Sequence, residues 1–130
     1  MPHILIDYSA NLEDRLDMAA LCRCLRDAAV ATGVFPLAGI RVRALRVDHV
    51  VMADGAAGHG YLDIILRVGQ GRDAATRSRA LDAIFAAAEA FTRPVMDTSS
   101  LMLSMELREI DTAFSRKASS IRRHLPGETR

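Results

Sequence analysis

Tryptophan is absent from this 130-residue chain, and aromatic residues make up only 5% of it. Any core must therefore rest on Leu, Ile, Val, Met and Ala. No run of about 18 apolar residues occurs, which argues against a membrane-spanning helix. The amino terminus lacks the basic-then-apolar order of a secretory signal, so the cytoplasm is the expected compartment. An excess of charge of one sign is missing too: 17 Lys and Arg stand against 16 Asp and Glu. That balance points to neither nucleic acid nor a membrane surface as partner. Cysteine is limited to Cys22 and Cys24. Two positions apart in a helical pattern, their side chains point about 200° apart, which argues against a disulfide or shared metal. They read as small apolar helix residues.

Familiar catalytic signatures are equally sparse. The four histidines, His3, His49, His59 and His124, lack zinc-ligand spacing. No nucleophile elbow, Walker loop or dinucleotide fingerprint is present. Gly69-x-Gly71 follows a strand pattern but lacks the third glycine and the later acid. Asp7, Asp63 and Glu106 fall on strand patterns and suit a polar sheet face or an interface better than a carboxylate site.

What is present is periodicity. Half of the residues are hydrophobic, enough for one compact domain or two small fused units. Ile4, Ile6 and Tyr8 alternate with His3, Leu5 and Asp7, as in a strand. Asn11 and Asp14 offer side-chain oxygens to start a helix. Leu16, Ala20, Cys24 and Ala28 then recur every four residues, flanked by Leu21 and Leu25. Gly33 is expected to end that helix, with Pro36 enforcing the break. A second extended run covers Ile40 to Val51, its latter half suited to an edge or bulged strand, and a turn-rich loop follows from Asp54 to Gly60. Tyr61 to Val68 is a third strand. Asp73 is placed to cap a second helix with Ala80, Leu81, Ile84, Phe85, Ala88 and Phe91 on its buried stripe and Pro94 at its end. Leu101 to Arg108 alternates as a fourth strand.

The order strand–helix–strand thus occurs twice, about 2–51 and about 60–111. A helix crossing between strands implies a parallel pair. The expected fold is α/β (α+β): a doubled β-α-β unit giving a four-stranded sheet with both helices on one face. Residues 1–111 form the expected domain. Residues 112–130 are a polar, basic tail, read as a solvated terminal helix or a frayed end.

Met1-Pro2 opens the first strand. Initiator methionine is normally removed before a residue as small as proline, which would leave a free secondary amine. Four segments then carry a resemblance: Pro2-His3-Ile4, Ala31-Thr32-Gly33-Val34-Phe35-Pro36-Leu37-Ala38-Gly39-Ile40-Arg41, Met52-Ala53-Asp54-Gly55, and Val68-Gly69-Gln70-Gly71-Arg72. From Pro2 to about Ile110 the chain resembles the 5-carboxymethyl-2-hydroxymuconate isomerase family of the tautomerase superfamily, which acts in homoprotocatechuate breakdown. The resemblance implies the doubled β-α-β fold, a homotrimer and no cofactor. It implies a small-molecule substrate that is an unsaturated dienol polycarboxylate, with a proton moved from the enol to a distant carbon. Residue by residue, it implies that Pro2 is the base and that Arg72 and Arg41 are the cations of the site. Arg43 and His3 match less well. Broad keto–enol tautomerase action on arylpyruvate-like acids and a non-catalytic oligomeric binding protein of the same fold are the alternative readings.

Overall fold

The computed structural model describes residues 1–127. The last three residues of the expected tail lie outside the described residues. The chain forms β1 (His3–Ser9), α1 (Met18–Ala31), β2 (Arg41–Val47), β3 (Gly60–Gly69), α2 (Ala74–Thr98) and β4 (Leu101–Ile110). The four strands make one sheet in the order β2-β1-β3-β4. β1 pairs with β2 in parallel and β3 with β4 in parallel, while the two units meet through the antiparallel β1–β3 pair.

Alternation along the strands decides which face is buried. Ile4, Ile6 and Tyr8 of β1 and Leu62, Ile64, Leu66 and Val68 of β3 point into the core. They meet Leu21, Leu25 and Ala29 of α1 and Ala80, Ile84, Ala88 and Val95 of α2. Burying each Leu or Ile contributes on the order of 1.5–3 kcal/mol, so this layer dominates the fold's stability. Both helices cover this one face. Among the described residues no helix or strand covers the opposite face: Leu5 and Ile65 are half-buried there, and Leu45 and Met102 are 52% and 61% exposed.

Several expectations need correction. Neither Asn11 nor Asp14 starts α1. Asp17 does, its carboxylate accepting from Ala20 N at 3.0 Å. Asn11 instead donates to the carbonyls of His59 (2.7 Å) and Ala57 (3.3 Å), fastening the long loop to the end of β1. The α1 stripe is centred on Leu21, Leu25 and Ala29, one position beyond Ala20, Cys24 and Ala28. β2 stops at Val47, because it is an edge strand and His49 to Val51 find no partner. Pro94 does not end α2, which continues to Thr98. Proline removes the hydrogen bond to the carbonyl of Ala90, but Ala90 and Pro94 lie on the exposed face, where that carbonyl is open to solvent rather than stranded in the core. The next turn is held by buried Val95, whose carbonyl accepts from Ser99 N and Ser99 Oγ. Finally, the described part of the tail is not a terminal α-helix. It is extended, with single 3-10 turns at Thr112–Phe114 and Arg122–His124.

Among the described residues no helix is long and apolar enough to cross a membrane.

Candidate active site

Pro2 lies just before β1, an inner strand, and its side chain is fully buried. β2 runs parallel beside it, so the first residue of β2 is its neighbour: Arg41 N donates to the Pro2 carbonyl at 3.1 Å. β3 runs the other way, so its end comes back to the start of β1, with His3 opposite Arg67. The turn after β3 carries Arg72. Gly71 sits at φ +115 within it, a left-handed conformation that a side chain would strain. The topology therefore gathers Pro2, Arg41 and Arg72 at one end of the sheet.

Arg72 is held in place. It donates to the carbonyls of Gly69 (3.2 Å) and Val34 (3.4 Å), and its guanidinium stacks on Phe35. Arg41 Nη2 lies 2.9 Å from both ring nitrogens of His3. His3 Nε2 also lies 3.0 Å from the Met1 sulfur. Burial, then Arg41, Arg67, the Met1 amine and Arg43 hold the His3 imidazole down to about 4, so it is neutral near pH 7.

The terminal amine here belongs to Met1, and the Pro2 nitrogen is an amide without a titratable proton. The Met1 amine nevertheless samples the field at this end of the sheet. Its affinity for a proton is lowered from the ordinary 8.0, first by burial and then by Lys117, Arg72 and Arg41. Lys117 is a cation the sequence did not reveal. It belongs to a stretch with no periodicity, and only the path of the chain beyond β4 brings it back. That path is fixed at its start, where Thr112 N and Oγ1 lie 3.4 and 3.3 Å from Gln70 Oε1.

The other candidates do not join this cluster. Asp7 accepts from the Tyr61 hydroxyl, Asp63 from Ser104 Oγ at 2.8 Å, and Glu106 pairs with Arg108 at 2.9 Å. Each carboxylate is committed to a neighbour on the open sheet face. Arg43 lies on that face too, opposite Leu5. At the far end of β1, roughly 23 Å away at ~3.3 Å per residue, His59 bridges Asp54 and Ser100, each at 2.7 Å. A cleft of about 320 Å3 opens beside it, and another of about 570 Å3 lies around Asp14 and Met18. Neither is lined by Pro2, Arg41 or Arg72. Arg15 is the one Lys or Arg among the residues that line the two clefts.

The family model for 5-carboxymethyl-2-hydroxymuconate isomerase matches residues 2–125. The chain belongs to this isomerase family. The 5-carboxymethyl-2-hydroxymuconate Delta-isomerase of Escherichia coli is 31% identical over 121 residues, which cover 93% of this chain and 96% of that protein. The crystal structure of a 5-carboxymethyl-2-hydroxymuconate delta-isomerase matches with a TM-score of 0.90 at 33% identity, covering 99% of this chain and 96% of its own. At 19% identity and a TM-score of 0.63, a symmetric trimer of a fused 4-OT protein shares the fold over 83% of this chain and 85% of its own. The doubled β-α-β fold is thus shared with fused 4-OT proteins.

Proposed function

We propose that this isomerase moves a proton within an unsaturated dienol polycarboxylate resembling 5-carboxymethyl-2-hydroxymuconate, with the Pro2 nitrogen as base once Met1 is removed. The observation that carries the reading is the convergence of Arg72, Arg41 and Lys117 on the terminal amine next to Pro2. A free prolyl nitrogen is more basic than an ordinary α-amino group, which titrates at about 7.7–8.0. Burial and three cations disfavour its protonated form and bring it toward neutral pH, where a base must be unprotonated to act. The same cations suit the carboxylates of the substrate and the negative charge of a dienolate.

In this reading the neutral Pro2 nitrogen accepts the enol proton, and the resulting ammonium returns it to the distant carbon as the conjugated electrons shift and the ketone forms. Charge stabilisation is assigned to Arg72 and Arg41, with no cofactor invoked. The working unit is residues 1–111, with 112–130 as an appended arm. The place in metabolism that fits is homoprotocatechuate breakdown, in the cytoplasm, where the free thiols of Cys22 and Cys24 would persist.

The assembly we propose is a homotrimer with the open sheet faces turned inward. Support comes from the uncovered β-sheet face, since parallel strand pairs are usually covered on both sides. Exposed Leu45, Met102 and Phe114 support it too, as does the trimeric fused 4-OT relative. In such an assembly each site would lie near a subunit boundary.

The direct test is an ultraviolet assay over a panel of dienol polycarboxylates, arylpyruvate enols and smaller oxo acids. The protein's amino terminus is first established by intact mass. Turnover should be greatest with a dienol polycarboxylate and confined to protein lacking Met1. Preference for an arylpyruvate would move the reading to broad tautomerase, and no turnover by the processed chain would favour a binding protein.

A further inference from the structure

We propose that Gly39 is a specificity-determining position, whose missing side chain leaves open the path along which the reacting carbon of the substrate reaches the Pro2 nitrogen. The inference rests on the reading of Pro2 as base given above.

Gly39 closes the short 3-10 turn Leu37–Gly39 and directly precedes Ile40 and Arg41. Its backbone does not require glycine. It is not among the positive-φ residues, and its N–H is satisfied by the Pro36 carbonyl at 3.0 Å. At such a position alanine is conformationally allowed and normally stabilises slightly by restricting the unfolded chain.

Space is what distinguishes Gly39. A Cβ built on it would overlap Met1 N, and would lie 3.2 Å from Met1 Cα and 3.5 Å from the Met1 carbonyl carbon. These are its three nearest heavy atoms. At Gly33, Gly58 and Gly69, by contrast, a Cβ would meet nothing within 4 Å.

Met1 therefore traces a space that matters after it has gone. Its carbonyl carbon is bonded to the Pro2 nitrogen and marks a direction in which the freed amine would hold a proton or a lone pair. Proton transfer needs the two heavy atoms about 2.6–3.2 Å apart. A carbon at that range would occupy much the same region as Met1 Cα. A Cβ at 3.2 Å from that point is inside the roughly 3.5–4.0 Å of comfortable carbon–carbon contact. Alanine at 39 crowds the reacting carbon and valine covers it. Slender enols should suffer less than a branched dienol polycarboxylate, because they can tilt away from the added methyl.

The test uses Gly39→Ala and Gly39→Val in the full chain, with Met1 removal checked by intact mass. Misplacement by about 1 Å costs on the order of 100-fold in rate. A crowding of a few tenths of an ångström in Gly39→Ala should therefore lower kcat/KM for the dienol polycarboxylate by about tenfold. KM should rise, and the pH dependence should stay that of the parent. Gly39→Val should lose turnover of the branched substrate while keeping more of its rate on a small enol.

A second readout does not involve activity. Gly39→Ala should melt with or slightly above the parent when Met1 is absent and below the parent when Met1 is retained, because only then does the Cβ have something to strike. Parental kcat/KM in both variants overturns the proposal, as does an equal loss of melting temperature with and without Met1. Full activity in Pro2→Ala would instead remove the base reading. A crippled Pro2→Ala beside a parental Gly39→Val would remove the Gly39 inference alone.

Discussion

The Arg72 guanidinium lies over the Phe35 ring, 4.9 Å from its centroid. Phe35 belongs to the segment after α1 and Arg72 to the turn after β3, so the stack joins the two units beside Pro2. Two backbone carbonyls fix the same guanidinium, so its orientation is set before substrate arrives. Arg72→Ala and Arg41→Ala should each lower kcat/KM by an amount equivalent to roughly 2–4 kcal/mol, the cost of losing a charged contact in a transition state. Arg72→Lys should rescue poorly, since a point charge neither stacks nor spans two acceptors. Steady-state kinetics decide, and parental values in both alanine variants would mark these arginines as surface charges.

Pro2→Ala should lower turnover by about 10²–10⁴-fold, the usual span of a general-base contribution. The primary amine it leaves has another basicity and another geometry. Because the Pro2 ring is fully buried, the variant should also lose on the order of 1 kcal/mol of stability. Rates must therefore be compared well below its melting temperature. Unchanged turnover there would sink the mechanism.

Lys117 should reveal itself in the pH profile. Removing a cation near an amine raises the amine's affinity for protons, so the neutral base survives only at higher pH. The acid limb of kcat/KM in Lys117→Ala should move to higher pH than in the parent, and likewise in Lys117→Glu by a larger step. A limb that stays in place would show that the arm does not influence the base.

Acid should weaken the Met1-bearing chain through His3. The unfolded imidazole takes up a proton near the ordinary 6.5, whereas the folded one resists until about 4. The unfolded state thus binds more protons between those values, and stability rises with pH across them. Stability is complete above pH 6.5 and declines as pH falls toward 4. Thermal melts at pH 7 and pH 5 should separate more in the parent than in His3→Gln. Equal separation would place the acid sensitivity elsewhere.

Assembly can be read from mass. Sedimentation equilibrium should return about three times the 14.2 kDa of one chain. Met102→Glu combined with Leu45→Glu should lower that mass and the activity together, because both residues stand on the uncovered face. Full activity in a monomeric double variant would separate catalysis from assembly.

The sheet was legible in the sequence because a period of two is unambiguous when Ile4, Ile6, Leu62, Ile64 and Leu66 all fall on one side. Boundaries were less legible where a local signal competed with a distant partner. Pro94 signals an end, yet Val95 and Ser99 hold another turn beyond it. Asn11 looks like a cap, yet its amide is taken by His59 and Ala57, some 46 to 48 residues away. Arg41 and Arg72 were reached in the sequence only through the family resemblance, and the order of the strands brings them to the same end of the sheet as Pro2. The parts of Lys117 and Gly39 were not legible. One depends on how an aperiodic arm folds back, and the other on the space that a residue does not fill.

The antiparallel join between β1 and β3 turns the two units head to tail. The counterpart of Pro2 in the second unit therefore falls just before Gly60, at the opposite end of the sheet. There the chain runs straight through and the nitrogen is an ordinary amide, while Asp54, His59 and Ser100 tie the connecting loop down. A polypeptide has a single amino terminus, however many copies of a unit it contains. If that terminus is the base, then stoichiometry follows from connectivity: one reactive nitrogen per two units, and three rather than six in a closed ring of three chains.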